Sequence, residues 1–507
     1  MSAGGHGVSR RQLLVSGVCA APGISLAGSR PRVTHGVQTG DVALGRAVVW
    51  ARSDRPAQLV VEYATTPSFG GRRRVRGTVA SAQSGWTARA LIHPPPGQTI
   101  FVRAWFEDGR TRGEPAMARF CTPADGVRIL WSGDTAGQGY GINPEWGGMR
   151  IYETMRRREP HVFIHCGDTI YADGPIPAEV RTPLGVWRNW TMPEKLKVAE
   201  TLDEFRASYL YNLHDDNVRR FNAEVAQIWL WDDHEVRNNW SPGADLAGDG
   251  RYREKDISVL ARRARQAFLE FAPIGYASRA EALIFRHLPL GPLVDLFALD
   301  MRSYRGPNNW NRQIMESGET AYLGERQLSW LADGLERSRG LWKIIAADMP
   351  LGVVVSDGRD AQGRPRFENC ANGDGPPLGR ELEIARLLQA IKRLNLRNVI
   401  WVTADVHYTA AHHFHPDRAQ FKDFLPFWEF VSGPLNAGTF GPSPLDNTFG
   451  PQVIYCKAPP PGQSNLPPSA GLQFFGEIEI DRSSRCATVT LRDVGGGVLF
   501  SQRLEPA

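Results

Sequence analysis

The sequence contains the run Val162-Phe-Ile-His-Cys-Gly-Asp168, a strand-like apolar segment that finishes on an aspartate. The same pattern recurs in three other runs: Ile129-Leu-Trp-Ser-Gly-Asp134, Ile228-Trp-Leu-Trp-Asp-Asp233 and Val399-Ile-Trp-Val-Thr-Ala-Asp405. Residues 294–300 and 343–348 also end on aspartate. Longer amphipathic stretches separate these runs after residue 125. The alternation predicts an α/β domain whose sheet is covered by helices.

Carboxylates at strand ends predict a metal site. In open α/β sheets ligands bind outside the carboxyl ends of the strands, so residues distant in sequence converge there. Several carboxylates in one crevice repel one another unless cations lie between them. The alternative for any single aspartate is that it caps a following helix or turn. Four such aspartates with histidine and tyrosine nearby favour metal.

The residues that follow the aspartates supply further donors. Asp168 precedes Thr-Ile-Tyr171, Asp233 precedes His234, and Asp405 precedes Val-His407. Carboxylate, imidazole and phenolate groups suit hard or borderline metal ions. The six cysteines show no CxxC spacing, which argues against a zinc-thiolate site, although Cys370 and Cys456 could form a disulfide.

Taken together, these motifs resemble the signature of the PhoD-type alkaline phosphatases and phosphodiesterases of the metallophosphatase superfamily. The resemblance rests on Gly167-Asp-Thr-Ile-Tyr171, Trp231-Asp-Asp-His-Glu-Val-Arg-Asn-Asn-Trp240, Ala404-Asp-Val-His407, Leu299-Asp-Met-Arg-Ser-Tyr-Arg305 and Leu323-Gly-Glu-Arg-Gln327. It implies a four-layer α/β/β/α sandwich preceded by a small all-β sandwich. It also implies an enzyme that hydrolyses phosphate monoesters, diesters or both.

The resemblance also implies roles for individual residues. The expected metal ligands are Asp134, Asp168, Tyr171, Asp233, Asp405 and His407. Asp168 bridges two metal positions, and Tyr171 is the phenolate ligand of iron. The cofactors implied are two or more metal ions, Fe³⁺ and Ca²⁺, with manganese and zinc left open. A metal-activated hydroxide would attack phosphorus in line.

Three further residues are candidates for catalysis. His234 would stabilise the transition state or protonate the leaving alkoxide, while Arg237 and Asn239 would contact phosphate oxygens. Two alternatives stay open. One is a phosphodiesterase specialised for phospholipid or nucleic-acid backbones, and the other is a non-catalytic exported protein that retains a metal site.

The sequence departs from the family pattern at two positions. Ser132-Gly-Asp134 stands where PhoD-type enzymes often have a Ser-Cys-Gln run whose cysteine binds iron, so a hard ligand replaces a soft one and the metal identity stays open. Asp348 stands where many metallophosphatases have a histidine ligand. Asp348 could substitute for that ligand or serve as a structural cap.

The chain divides into three predicted parts. Residues 1–31 resemble a twin-arginine signal around Arg10 and Arg11, residues 32–124 read as a fibronectin-type or immunoglobulin-like β-sandwich, and residues 125–507 read as the catalytic domain. The β-rich runs 472–480, 486–491 and 497–504 could complete the large sheet. The expected location is periplasmic or secreted, through the twin-arginine export machinery.

Charge and hydropathy indicate which kinds of binding partner to expect. The 507 residues carry a net charge of +5, which favours the approach of small anionic substrates such as phosphate esters. No long Lys/Arg tract occurs, so no stable nucleic-acid partner is expected. Nothing approaches the roughly 20 apolar residues of a membrane-spanning helix, and a monomer is expected.

Overall fold

The structure, a computed structural model, describes residues 30–276 and 278–507. Arg10 and Arg11 of the predicted signal lie outside these residues. The first seven strands are β1 (Val33–Ala43), β2 (Arg46–Ser53), β3 (Ala57–Ala64), β4 (Arg73–Ala80), β5 (Thr87–Ile92), β6 (Thr99–Glu107) and β7 (Ala116–Cys121). The predicted N-terminal all-β region is therefore confirmed.

The remaining elements mix strands with helices as far as α6, and strands β18 to β24 follow it. In chain order they are β8 (Val127–Ser132), α1 (Arg150–Arg156), β9 (Val162–Cys166), β10 (Glu179–Thr182), β11 (Gly185–Arg188), α2 (Leu202–Asn212), α3 (Asp216–Glu224), β12 (Ala226–Leu230), α4 (Ile257–Phe271), β13 (Arg286–Pro289), β14 (Val294–Ala298), α5 (Glu325–Arg337), β15 (Trp342–Ala346), β16 (Ser356–Arg359), β17 (Pro365–Phe367), α6 (Glu381–Arg393), β18 (Val399–Thr403), β19 (Thr409–Phe414), β20 (Phe427–Val431), β21 (Pro451–Lys457), β22 (Phe474–Ile480), β23 (Ala487–Asp493) and β24 (Val498–Leu504).

The N-terminal strands form two sheets that share one hydrophobic core. Strands β4-β3-β6-β7 make a four-stranded sheet, and β1, β2 and β5 lie at one end of a nine-stranded sheet. Val49, Val61 and Val102 belong to the same buried cluster. Because β1 pairs in parallel with β12, the N-terminal region is continuous with the large sheet. The domain division near residue 124 stays a prediction.

Two large mixed sheets carry the rest of the chain. The nine-stranded sheet has the order β24-β23-β22-β8-β9-β12-β1-β2-β5, and the seven-stranded sheet has the order β13-β14-β15-β18-β20-β19-β21. The expectation that the three last β runs complete the large sheet is confirmed, since β22 pairs with β8. Ile164 of the first sheet and Ile344 of the second belong to one core, so the sheets pack face to face.

The helices pack in two hydrophobic clusters. Phe205, Phe221 and Phe268, from α2, α3 and α4, pack in a cluster with Phe163 of β9. Residues of α5 and α6 pack in a separate cluster with Phe297 of β14. The N-caps explain where two helices begin: the side chain of Thr201 accepts from Glu204 N, and that of Asp215 accepts from Val218 N.

Two further predictions concern cysteines and membrane spans. The five described cysteines are all free, so Cys370 and Cys456 do not form the disulfide that the sequence left open. Among the described residues, no helix has the length and apolar character needed to cross a bilayer.

Candidate metal centre

The strand-end residues meet because the central strands run parallel and in level register. Ser132 of β8 pairs with His165 of β9, and Leu230 of β12 pairs with Cys166. The segments that follow these strands therefore leave the sheet at the same edge. Asp405 follows β18 of the seven-stranded sheet and brings the end of that strand to the same site. The loop after β20 joins it there, since the backbone nitrogen of Leu435 donates to the carbonyl oxygen of Asp134.

Four of the predicted ligands adopt a backbone conformation that is uncommon for their residue types. The φ angles are 65° for Asp134, 53° for Asp168, 66° for Asp405 and 61° for His407. Non-glycine residues in this left-handed region carry strain that persists where the surroundings dictate it, and such positions cluster at functional sites. The turns that end the strands thus aim these side chains rather than simply terminating the sheet.

Three groups of side chains could hold a metal ion, with the ligand atoms of each group within 4.8 Å of one another. They are Asp134 with Asp168 and His407, Asp168 with Asp233 and His234, and Asp232 with Asp233 and Asp405. Five of the six predicted ligands fall in these groups. Asp168 and Asp233 each belong to two of them.

The sixth predicted ligand lies beside them. The hydroxyl of Tyr171 is 2.9 Å from Nε2 of His407, and the tyrosine is 1% exposed. Burial raises the pKa of Tyr171, and the charges of Asp168 and Asp134 act in the same direction. A phenolate at this position therefore requires a nearby cation.

Unpartnered carboxylate oxygens support the fit of cations to this centre. Among the described residues, neither side-chain oxygen of Asp134 has a hydrogen-bond partner, and the same holds for Oδ1 of Asp233 and Oδ2 of Asp232. These oxygens are buried, and a buried anionic oxygen without a partner is costly. The residues present thus fit hard or borderline cations.

The charges of the cluster lead to the same inference. Burial raises the pKa of Asp134 and Asp168 well above the usual range, and the nearby carboxylates of Asp233 and Glu235 raise it further. Burial also raises the pKa of Asp405, with Glu368 as the largest contributing charge. Cations between the carboxylates would reverse these shifts.

Glu235 holds two strand ends together, a role that the sequence did not reveal. Its carboxylate accepts hydrogen bonds from the backbone nitrogens of Asp168 at 3.1 Å, Thr169 at 2.7 Å and Asp232 at 2.8 Å. The side chain is fully buried. Glu235 therefore fixes the segment after β9 against the segment after β12.

His234 is held by a second residue that sequence reasoning missed, Asp173. The imidazole Nδ1 lies 2.6 Å from Oδ1 of Asp173, whose Oδ2 accepts from the backbone nitrogen of Asn238 at 2.9 Å. Burial alone would lower the pKa of His234, but Asp173, Asp233 and Asp168 together raise it well above its usual value. The contact with Asp173 fixes the orientation of this imidazole.

The other two predicted catalytic residues differ in their surroundings. Nε of Arg237 is buried and has no hydrogen-bond partner among the described residues, so this guanidinium retains unused donor capacity. The side-chain amide of Asn239 instead donates to Oδ1 of Asp357 at 2.9 Å, while its backbone nitrogen donates to the carboxylate of Asp233. Asn239 thus supports a candidate ligand through its backbone.

Arg302 lies fully buried beside the metal centre. Its guanidinium pairs with Asp232 at 2.5 Å, with Asp348 at 2.9 Å and with Glu368 at 2.6 Å. Asp405 lies 3.6 Å from the same guanidinium. Asp348, whose role the sequence left open, is thus an ion-pair partner and is absent from the three metal-holding groups of the described chain.

Two glycines allow the backbone to approach the ligands closely. A Cβ atom on Gly137 would lie 2.5 Å from the ring of Tyr171, and one on Gly433 would lie 2.2 Å from Oδ2 of Asp134. Only a residue without a side chain fits either position. The loop around Gly137 therefore lines the site.

The fold and the site define an α/β protein with a multi-carboxylate centre at the carboxyl ends of parallel strands. The family model described as PhoD-like phosphatase matches residues 129–491, and that of the PhoD-like phosphatase N-terminal domain matches residues 18–124. The chain therefore belongs to the PhoD-like phosphatase family. The resemblance predicted from the motifs is confirmed.

Individual relatives agree with this assignment. The chain is similar to alkaline phosphatase D of Bacillus subtilis (strain 168), with 27% identity over 307 residues, which are 59% of this chain and 50% of the relative. It thus spans about half the length of this curated relative. A solved structure described as the structure of PhoD superposes with a TM-score of 0.68 at 19% identity, over 95% of this chain and 90% of that chain. At this identity the likeness concerns the fold.

Proposed function

We propose that the protein is a metal-dependent phosphoesterase that hydrolyses phosphate monoesters, diesters or both. The observation that carries the proposal is the convergence of strand-end residues from the two large sheets: Asp134, Asp168 and Asp233 from the nine-stranded sheet, and Asp405 and His407 from the seven-stranded sheet. Membership in the PhoD-like phosphatase family supports the same reaction class.

The strand-end residues would hold the metal ions. When bound, a pair of metal ions supplies Lewis-acid polarisation of the phosphoryl group and activation of water. Asp168 would hold both metal positions, Asp134 with His407 would complete one, and Asp233 with Asp405 the other. Their burial excludes bulk water, which strengthens every charge interaction at the centre.

His234 would act on the leaving group. Asp173 holds Nδ1 of this imidazole, which leaves Nε2 to donate a proton to the departing alkoxide. Arg237, whose Nε is unpaired among the described residues, would bind a phosphate oxygen. Asn239 would act by holding Asp233, rather than through its side-chain amide as the sequence suggests.

For the metals we propose Fe³⁺ and Ca²⁺. The phenol of Tyr171, 2.9 Å from His407 Nε2, supports a ferric ion on that side, and the carboxylate-rich group of Asp232, Asp233 and Asp405 supports calcium. Elemental analysis of the purified native protein tests this assignment. A content of manganese or zinc without iron would overturn it.

Chelation tests the function as a whole. Treatment with EDTA is expected to abolish hydrolysis of p-nitrophenyl phosphate and of bis-p-nitrophenyl phosphate, because the carboxylate cluster alone offers no electrophile for the phosphoryl group. Readdition of the metals found by elemental analysis should restore the activity. The ratio of the two rates reports the monoester or diester preference. Turnover that survives exhaustive chelation would contradict the proposal.

Export is a separate part of the proposal and rests on Arg10 and Arg11. Replacing both by lysine is expected to leave the precursor in the cytoplasm, because the twin-arginine route reads the arginine pair. Immunoblots of cell fractions from the wild type and the variant provide the measurement. An unchanged distribution between the fractions would reject this route and leave the catalytic proposal untouched.

The finer description of the fold also belongs to this proposal. A four-layer α/β/β/α order over residues 125–507 is supported by one core between the sheets and one core beneath each helix layer. Residues 32–124 would then form the accessory β-sandwich. Limited proteolysis that cuts near residue 124 and releases two folded fragments would support the division, and fragments that unfold would argue against it.

A further inference from the structure

The outer face of the four-stranded sheet carries an excess of arginine. Residues of β3 and β6 that face inward, such as Val61 and Val102, belong to the hydrophobic core. On the opposite face, Glu62 of β3 pairs across the strands with Arg74 of β4 and Arg103 of β6. The outward carboxylate of Glu62 is thus flanked by an arginine on each neighbouring strand.

We name as the arginine face the residues Arg72, Arg74, Arg76, Arg103 and Arg112. Their ion pairs among the described residues use only two carboxylates, Glu62 and Glu107. The side chain of Glu62 is 2% exposed and serves three guanidiniums, while Glu107 lies 3.4 Å from Arg76. Five arginines against two carboxylates leave three positive charges in excess.

A buried tryptophan orients two of these guanidiniums. Trp105 is fully buried although it points outward, because Arg112 lies 3.9 Å and Arg74 5.3 Å from the centroid of its ring. Its Nε1 donates to Glu107 at 2.9 Å. The guanidiniums therefore lie over the sheet with their remaining N–H groups toward solvent.

Two large apolar side chains on the same face are exposed. Val79 is 56% exposed and lies opposite Gln58 of β3, and Met117 is 55% exposed and lies opposite Arg103. Gln58 and Glu107 are themselves paired across β3 and β6, which places Val79 on the outward side. The face thus combines cations with apolar groups at its two edges.

We propose that the arginine face docks the protein onto an anionic lipid bilayer. Anionic headgroups complement the three excess charges, and arginine forms bidentate contacts with phosphate. Val79 and Met117 would enter the boundary between headgroups and acyl chains. An open sheet face with apolar edges fits a planar surface better than it fits a thin soluble polymer.

The test uses the full chain and vesicles of phosphatidylcholine, alone or mixed with phosphatidylglycerol. A triple variant replaces Arg72, Arg76 and Arg112 by glutamine and leaves Arg74 and Arg103 to pair with the buried Glu62. The matched control replaces three arginines whose side chains are 74%, 73% and 78% exposed elsewhere on the chain, Arg157, Arg337 and Arg482. Both variants change the net charge equally.

Wild type and control are expected to sediment with the phosphatidylglycerol vesicles and not with phosphatidylcholine alone. The arginine-face variant should bind about 100-fold more weakly at low salt, since each arginine near an anionic surface contributes about fivefold. Replacing Val79 and Met117 by serine should weaken binding further. Thermal unfolding of each variant verifies that the fold is retained.

Several outcomes would overturn the proposal. If the wild type binds neither kind of vesicle, lipid docking is excluded. If both triple variants lose the same affinity for the vesicles, net charge and not the arginine face explains the binding. Equally tight binding to vesicles that contain no phosphatidylglycerol would show that the arginines do not recognise anionic headgroups. Capture on heparin without vesicle binding would assign the face to a soluble polyanion instead.

Discussion

Replacing Asp168 by alanine is expected to lower kcat/KM for p-nitrophenyl phosphate by roughly 10³-fold or more, beyond the loss caused by removing one transition-state hydrogen-bond donor. Asp168 is the carboxylate that belongs both to the group with Asp134 and His407 and to the group with Asp233 and His234. Its removal would therefore disturb two metal positions at once. With less positive charge bound, the remaining buried carboxylates would also repel one another more strongly.

The measurement pairs steady-state kinetics with elemental analysis of the same preparation. We expect the Asp168→Ala protein to lose metal in parallel with activity. Asp300→Asn is the matched control, because Asp300 is another buried strand-end aspartate that lies outside the three metal-holding groups of the described chain. Its Oδ1 accepts from Trp231 Nε1 at 2.8 Å and from Ser303 N at 2.9 Å, contacts that asparagine can retain.

Two results would contradict the assignment of Asp168. Full activity in Asp168→Ala would show that the centre is not catalytic and would favour the non-catalytic alternative. Equal losses of metal in Asp168→Ala and Asp300→Asn would show that any disturbance of a strand end empties the site. In that case the loss would report structural damage rather than metal coordination.

Much of the site was predictable because strand-end aspartates leave a local signature. An apolar run that stops at a carboxylate is visible in the sequence, and parallel strands bring such ends together whatever their order. Asp134, Asp168, Asp233 and Asp405 all carry this signature, and the structure brings them together, the first three from the nine-stranded sheet and Asp405 from the seven-stranded sheet. The N-terminal strands were equally visible from their β-branched and aromatic composition.

Asp173 and Glu235 could not be predicted, because their contacts join segments that are distant in sequence and no local sequence pattern reveals them. Asp173 and Glu235 are ordinary acidic residues in sequence, and only the packing of the segments after β9 and β12 brings them to His234 and to the backbone. The continuity of β1 with β12 depends in the same way on pairing across some 190 residues. Asn239 was assigned to phosphate by its motif, yet its amide lies on Asp357 of a distant hairpin.

Replacing Arg302 by methionine is expected to lower the free energy of unfolding by about 3–5 kcal/mol, the usual cost of removing one partner of a buried ion pair. Three carboxylates lose their cation at once: Asp232, Asp348 and Glu368. Burial already raises the pKa of Asp232 and Glu368, so each depends on the guanidinium for its charged form. Methionine preserves volume but supplies no charge.

The choice of variants separates charge from geometry and packing. Arg302→Lys keeps the positive charge but lacks the planar guanidinium that reaches three carboxylates. We therefore expect the free energy of unfolding of Arg302→Lys to lie between those of Arg302→Met and the wild type. Arg305→Met is the matched control, because Arg305 is also buried but has no ion pair among the described residues. Arg305→Met should therefore lower the free energy of unfolding by less than Arg302→Met does. Urea unfolding of the chelator-treated proteins measures the differences without a contribution from bound metal.

The result also distinguishes two roles for Arg302. If the guanidinium only supports the fold, stability falls while the metal content of the folded protein stays unchanged. If it also sets the position of Asp232 beside Asp233 and Asp405, metal affinity falls in the folded fraction as well. We expect both losses, because the guanidinium lies 2.5 Å from Asp232 and 3.6 Å from Asp405. An Arg302→Met protein with wild-type stability would contradict the ion-pair account, since the three buried carboxylates would then need no cation.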